Sequence, residues 1–522
     1  MAALTVIPHP LKVDLHGTPF ALTPEASVVH AGGAAGEVAE LLAAYLRPAT
    51  GFPLPVRAGT AGDARGGLFL QQTGESALDD AGFADEAYTL TAAGDGVCIT
   101  ATTDEGLTRG TQTLRQLFPA AILAPTRQDA DWTLPGCTIE DRPMLRWRGL
   151  HLDVCRHFFT SDEVKRFIDL AALHQYNVVH LHLTEDQGWR MEIERYPRLT
   201  EVGAWRNETL IGSEWTRPRV YDGTRYGGFY TKAELRELVA FAAARRVRLV
   251  PEVDMPGHMQ AAVAAYPELG NTDQTLRPRC HWGISHHILN VEDATIRFCR
   301  DVRDGVMDVF PSRFVHIGGD EAEKQEWKES KRAQERMREL GLKSEEELQS
   351  WFIRQMAEHI DAAGRRCIGW DEILEGGLAP GAAVMSWRGE EGGLAAAAKG
   401  HDVVMAPSQW VYFDHYQREP QDEEPLAIGG LTTTEHVYNY RPVPEAMPGQ
   451  QRRHVLGAQG QLWSEYIPDQ ARLDYMTYPR ACALAEVLWL PRELRKASDF
   501  LSRLDIHRAR LSVLGVNAHP RP

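Results

Sequence analysis

Tryptophans stand beside carboxylates along the second half of the sequence, and this combination of side chains suits a sugar. Sugars present apolar C–H faces, which aromatic rings can cover, and hydroxyl groups, whose hydrogen bonds carboxylates can accept. Trp370, Trp387 and Trp463 with Asp414 and Glu465 would form a pocket for one neutral pyranose. Each residue has a simpler interpretation, because a single tryptophan more often packs in a core and Asp414 alone could belong to a surface loop.

Two adjacent carboxylates, Asp320 and Glu321, follow the sequence HIGG at 316–319. Adjacent residues on a regular strand point to opposite faces, so both acids can face one pocket only where the chain turns. Gly318 and Gly319 allow a tight turn, because glycine adopts positive φ at little steric cost. The sequence therefore predicts that both carboxylates lie at one site. The alternative is a solvated acidic loop.

Other polar residues are candidates for the same site, and each also has a simpler interpretation. Arg156 could be an ordinary ion-pair partner, and Tyr412 could be a surface-loop residue. His180 and His182 share one face of a predicted strand because they are two residues apart. They could be packed core imidazoles, metal ligands or members of a polar relay.

The elements that carry these residues alternate between strand and helix from Leu145 onward. Strands are predicted at 146–154, 178–184, 247–254, 314–320, 366–370, 383–387, 402–407 and 455–463. Helices are predicted from Ser161 as an N-cap, from Thr231 in a capping box, and over 345–363. Eight such units predict an α/β fold, a (β/α)8 TIM barrel, whose active site would lie at the C-terminal ends of the strands.

The first 140 residues differ in character and are rich in Ala, Gly and Thr. Short alternating runs at 88–91 and 97–100 predict strands, and 103–117 predicts a capped helix. We therefore expect a small α+β accessory domain over 1–140 and a (β/α)8 barrel catalytic domain over 141–522.

Composition excludes several classes of protein. The 522 residues include 56 basic and 72 acidic side chains, and the net charge of −16 argues against nucleic-acid and anionic-membrane partners. Seven scattered cysteines predict neither a disulfide framework nor a zinc knuckle. No signal peptide or membrane-spanning run is visible. A cytoplasmic location is expected for the sequence as written, or a periplasmic or secreted one if a signal has been removed.

Five motifs in this order resemble the family 20 glycoside hydrolases, the β-N-acetylhexosaminidases. They are HLDVCRHFF at 151–159, HLHLTEDQGWR at 180–190, PEVDMPGH at 251–258, HIGGDE at 316–321 and WSE at 463–465. The resemblance spans nearly the whole chain and includes the small α+β domain that commonly precedes this barrel. It implies a retaining exo-β-N-acetylhexosaminidase that removes terminal non-reducing β-linked GlcNAc or GalNAc from chitooligosaccharides, other oligosaccharides or glycoconjugates.

The resemblance also implies substrate-assisted catalysis without a cofactor or metal. The 2-acetamido oxygen of the substrate would attack the anomeric carbon and form an oxazolinium ion, in place of a carboxylate nucleophile. Glu321 would be the general acid and later the base, and Asp320 would orient the acetamido N–H and stabilise the cation. The remaining implied contacts are a hydrogen bond from Tyr412 to the acetamido oxygen, walls from Trp370, Trp387 and Trp463, hydroxyl contacts from Arg156, Asp414 and Glu465, and a relay to Glu321 from His258 and Glu185.

One position departs from the family pattern, and two other functions stay open. The position of Glu185 is often Asp, so its carboxylate is displaced by one methylene. A metal-dependent barrel hydrolase could use His180 and His182, although Leu183 and Thr184 separate this pair from the strand end. A non-catalytic carbohydrate-binding protein would keep the tryptophans without needing the acid pair.

Overall fold

A computed structural model describes residues 4–520, and the first part of it is a seven-stranded mixed sheet. The helices Ala35–Thr50 and Asp104–Leu117 pack against this sheet, and their buried side chains share one hydrophobic cluster with its strands. In spatial order, the strands are Lys12–Leu15, Cys137–Asp141, Tyr88–Ala93, Gly96–Ala101, Leu68–Gln72, Val28–Ala31 and Val56–Ala58. The strands predicted at 88–91 and 97–100 form an antiparallel hairpin here.

Eight parallel strands then close into a barrel, which confirms the predicted (β/α)8 fold. In chain order, these barrel strands are Trp147–Asp153, Val178–His182, Arg248–Glu252, Phe314–His316, Arg366–Trp370, Ala383–Ser386, Val403–Met405 and Val455–Gly460. The first barrel strand pairs with the second and with the eighth, so no edge is left open. Several strands are shorter than predicted at their C-terminal ends. The fourth stops at His316, because Gly318 and Gly319 have φ of 65° and 94° and cannot continue a strand.

Helices lie between the barrel strands and beyond the last of them. The longer ones are Ser161–Leu173, Lys232–Ala244, Asp293–Val309, Lys331–Leu340, Glu345–Ala362, Glu391–Ala398, Gln470–Thr477, Arg480–Trp489 and Ala497–Val513. The shorter ones are Arg198–Glu201, Gln260–Ala265, Gln325–Glu329, Ser408–Val411 and Thr434–Asn439. No helix within residues 4–520 is both long and apolar enough to cross a membrane.

The caps of these helices agree with the sequence at one predicted position and differ at another. The capping box at Thr231 is confirmed, since its side chain accepts from the backbone N–H of Glu234 and the Glu234 carboxylate accepts in return. The N-cap predicted at Ser161 is wrong. The cap is Thr160, because Glu163 stands three residues later and completes a capping box with it.

A buried ion-pair cluster joins the seven-stranded unit to the base of the barrel. The Glu86 carboxylate accepts from Arg109 at 2.8 Å and from both terminal nitrogens of Arg148 at 2.7 and 2.8 Å. Asn177 donates to the same carboxylate at 3.2 Å. Arg109 lies on the helix Asp104–Leu117 and Arg148 on the first barrel strand, so the Glu86 carboxylate links the two units.

We expect Glu86→Gln to lower the free energy of unfolding by about 3–5 kcal/mol, because two buried guanidinium groups would lose their only anionic partner in this cluster. Urea denaturation followed by fluorescence measures the change. Glu140→Gln is the matched control, since Glu140 forms an exposed pair with Lys12 and its loss should change stability little. Equal effects of the two substitutions would contradict the structural role of the cluster.

Candidate active site

All eleven residues predicted for the site line one pocket of about 430 Å³ at the C-terminal ends of the barrel strands. They are Arg156, Glu185, His258, Asp320, Glu321, Trp370, Trp387, Tyr412, Asp414, Trp463 and Glu465. The same pocket is also lined by Trp215, Trp282, Ile284, Ile428 and Tyr466. The barrel topology therefore gathers residues that are more than 300 positions apart in sequence.

The acid pair reaches the pocket through a turn in left-handed backbone conformation. Gly318, Gly319 and Glu321 all have positive φ, at 65°, 94° and 46°. A Cβ at Gly318 would lie 1.8 Å from Oδ1 of Asp254, so only glycine fits there. The predicted turn is present, and it leaves Asp320 buried while the side chain of Glu321 stays about one third exposed.

Asp320 lies next to a second buried carboxyl group. Burial and the neighbouring Asp254 both raise the pKa of Asp320 well above its usual range. Burial likewise raises the pKa of Asp254 to about 7, although its Oδ1 accepts a hydrogen bond from the backbone N–H of Gly319 at 2.9 Å. Oδ1 of Asp320 has no hydrogen-bond partner within the protein, so it can accept one from a ligand.

Glu321 faces an imidazole that is held by another carboxylate. Nε2 of His258 lies 3.5 Å from Glu321 and 3.7 Å from Asp320, while its Nδ1 lies 2.7 Å from Oε1 of Glu185. Burial lowers the pKa of His258, but the carboxylates of Glu185, Glu321 and Asp320 together outweigh burial and raise it well above the usual value. Arg156 lies 3.1 Å from the same Glu185 oxygen. The longer Glu185 side chain thus still contacts His258.

Tryptophan rings form the walls of the pocket, and the N–H groups of two of them donate to carboxylates that do not line it. Trp370 donates to Glu252 and Trp387 donates to Glu372, each at 2.8 Å. The rings of Trp370 and Trp463 are 5.8 Å apart. The ring of Tyr412 stacks beside Trp387 at an interplanar angle of 25°. Fixed rings of this kind present apolar faces to a ligand.

The same pocket carries polar groups with unused capacity for hydrogen bonds. Asp414 and Glu465 are buried, and each has one carboxylate oxygen without a partner in the protein. Burial and their mutual repulsion raise the pKa of Asp414. Nearby, the guanidinium of Arg156 lies 5.1 Å from the Trp463 ring. Hydroxyl groups of a ligand could donate to these two carboxylates.

Sequence reasoning missed several carboxylates of the site. Asp254 is the last residue of the strand predicted at 247–254, so the strand end was a usable signal for its place beside the acid pair. Glu252 lies two residues earlier in the same predicted strand. His180 and His182 lie 3.1 and 2.7 Å from it, and nothing in the neighbouring sequence predicts these contacts. Glu372 enters from the 3-10 helix that follows the fifth barrel strand, a turn that the strand pattern does not predict.

Comparisons with known proteins agree with this geometry. The family model "Glycosyl hydrolase family 20, catalytic domain" matches residues 145–492, and "Glycosyl hydrolase family 20, domain 2" matches residues 3–142. A beta-hexosaminidase of Porphyromonas gingivalis is 42% identical over 518 residues, which cover 99% of this chain and 64% of that protein. The chain thus spans less than two thirds of this relative. A beta-N-acetylhexosaminidase of Cellulomonas fimi is 32% identical, with 100% of this chain and 97% of that protein covered.

Solved structures give the same result. The beta-N-acetylhexosaminidase of Streptomyces coelicolor is 32% identical with a TM-score of 0.84, and the match covers 99% of this chain and 98% of that one. A mutant beta-hexosaminidase of Streptomyces plicatus, in complex with its product GlcNAc, is 32% identical with a TM-score of 0.84, covering 99% and 97% of the two chains. Because the two family models match residues 3–142 and 145–492, which carry the sheet, the barrel and the acid pair, the chain belongs to glycosyl hydrolase family 20.

Proposed function

We propose that the protein is a retaining exo-β-N-acetylhexosaminidase that removes terminal non-reducing β-linked GlcNAc or GalNAc by substrate-assisted catalysis. The observation that carries this proposal is the adjacent pair Asp320 and Glu321 in a pocket with tryptophan walls. The names of the similar proteins support it. We also propose that 1–140 is the α+β accessory domain and 141–522 the catalytic barrel.

In the first step, Glu321 donates its proton to the glycosidic oxygen. The acetamido oxygen attacks the anomeric carbon, the bond to the leaving group breaks, and an oxazolinium ion forms. Glu321 is the better placed acid because its side chain is about one third exposed and can exchange protons with solvent, whereas Asp320 is buried. Asp320 accepts the acetamido N–H and stabilises the cation, and the growing positive charge in turn favours its ionised form.

In the second step, the Glu321 carboxylate takes a proton from water, and the resulting hydroxide equivalent attacks the anomeric carbon. The oxazolinium ring opens and the acetamido group is restored. Two successive displacements at one carbon give retention of configuration. His258 lies 3.5 Å from Glu321 and stabilises its carboxylate between the two steps.

The remaining residues hold the sugar. The rings of Trp370, Trp387 and Trp463 enclose the acetamido group and the apolar face of the pyranose. Tyr412 donates to the acetamido oxygen. Ring hydroxyls bind Arg156, Asp414 and Glu465, and the unpartnered oxygens of the last two support this role.

Hydrolysis of nitrophenyl glycosides tests the proposal. We expect turnover of the β-GlcNAc or β-GalNAc compound and none of the β-glucoside, which lacks the acetamido nucleophile. Activity should persist in EDTA, because no step of the proposed mechanism uses a metal. Loss of activity in EDTA with recovery on adding zinc would favour a metal-dependent hydrolase. Binding of a GlcNAc oligomer without turnover would favour a non-catalytic carbohydrate-binding protein.

A further inference from the structure

Three apolar residues that line the pocket are exposed to solvent, and they mark where the pocket opens. Trp215 is 79% exposed, Ile428 39% and Ile284 37%, whereas Trp370 in the same pocket is 1% exposed. A residue that lines a pocket and remains exposed lies at its opening, because protein covers the residues at the closed end. Ile284 also lines the adjoining depression that contains Glu321. The opening therefore adjoins the proposed general acid.

Trp215 lies in a hairpin loop that is held against the pocket. The hairpin pairs residues 210–211 with 220–221. Just before Trp215, the backbone N–H of Glu214 donates to Oη of Tyr466 at 3.0 Å. The Glu214 carboxylate accepts from the backbone N–H of Trp282 at 3.2 Å. Tyr466 and Trp282 both line the pocket, so the hairpin presents the Trp215 ring at a fixed place beside it.

The apolar surface at this opening is continuous with the pocket proposed for the terminal sugar. Single exposed apolar residues are common on protein surfaces, but Trp215, Ile284 and Ile428 lie around one opening, and a grouped apolar surface marks a binding site. A pyranose has an apolar C–H face that an indole ring can cover. The unit joined to a terminal sugar must leave the pocket through its opening. This surface therefore suits the second pyranose of an oligosaccharide.

We propose that Trp215 is a specificity-determining residue whose indole ring binds the apolar face of the second pyranose. The terminal N-acetylhexosamine lies at the closed end of the pocket, and the glycosidic oxygen between the two sugars faces Glu321. Ile284 and Ile428 border the second sugar. The inference rests on the proposed function and names its substrate class, which is oligosaccharides in preference to glycosides with a small aglycone.

The contact with Trp215 should act on binding more than on the chemical step. The second pyranose keeps its place on the ring while the glycosidic bond begins to break. The contact therefore stabilises the bound substrate and the transition state about equally. An interaction of this kind lowers KM and leaves kcat nearly unchanged.

Trp215→Ala tests the proposal on two substrates, chitobiose and methyl β-GlcNAc. We expect KM for chitobiose to rise about 3–10-fold, the range that one aromatic contact typically supplies, with little change in kcat. Methyl β-GlcNAc has the same terminal sugar but no second ring, so its KM should change much less. Trp215→Phe keeps an aromatic face and should restore most of the affinity for chitobiose. Initial rates of GlcNAc release give all four constants for each variant.

Ile211→Ala is the matched control, because Ile211 is an exposed apolar residue of the same hairpin that does not line the pocket. It should behave as the unmodified protein does on both substrates. An unchanged KM for chitobiose in Trp215→Ala, or an equal rise for both substrates, would overturn the inference. Failure of the unmodified protein to release GlcNAc from either substrate would refute the proposed function. An active protein in which Trp215→Ala does not discriminate between the substrates would refute the role of Trp215 alone.

Discussion

Glu321→Gln should lower kcat on chitobiose by about 10²–10⁴-fold, the range that general acid catalysis typically supplies. Glutamine keeps the size of the side chain but cannot deliver a proton to the glycosidic oxygen. KM should change much less, because Glu321 contacts the bond that breaks and not the ring hydroxyls. Initial rates of GlcNAc release, measured over a range of chitobiose concentrations, give both constants.

The leaving group provides an internal control for this variant. In the first step, nitrophenolate can leave with little protonation by the acid. Glu321→Gln should therefore lose less activity on nitrophenyl β-GlcNAc than on chitobiose. Glu323→Gln is the matched substitution, since Glu323 lies two residues later and does not line the pocket. It should behave as the unmodified protein does. Near-normal turnover of chitobiose by Glu321→Gln would show that another group is the acid.

Much of this site could be predicted from sequence because its signals are local. Gly318 and Gly319 predicted a turn before the acid pair, and both residues have positive φ in the structure. The alternation of strands and helices predicted the barrel, and a barrel brings all strand ends to one face. The N-cap at Thr231 was predicted correctly, because Glu234 stands three residues later and completes a capping box with it.

The buried contacts could not be predicted in the same way, because they join residues on different strands. His182 and Glu252 are 70 positions apart, and their pairing depends on the register in which the second and third barrel strands meet. A period of two places His180 and His182 on one face but does not predict that Glu185 contacts His182 alone of the two.

Asp320→Asn should lower kcat on β-GlcNAc substrates by about 10²–10³-fold, the cost typical of losing one group that stabilises charge in a transition state. Asparagine keeps the shape of Asp320 and can still accept a hydrogen bond from the acetamido N–H. It cannot supply the negative charge that the oxazolinium ion needs. The loss should therefore appear mainly in kcat, and affinity for the neutral product GlcNAc, measured by calorimetry, should change less.

Asp254→Asn separates the role of Asp320 from a general effect of removing buried charge. The raised pKa of Asp254, about 7, means that its neutral form is already populated near neutral pH, and an amide imitates that form. We expect a smaller loss of kcat than for Asp320→Asn, with the pH dependence near neutrality reduced. Equal losses in the two variants would mean that the pair acts as one acid. A smaller loss in Asp320→Asn would assign the charge that stabilises the oxazolinium ion to Asp254, so the order of the two losses identifies the carboxylate that faces the cation.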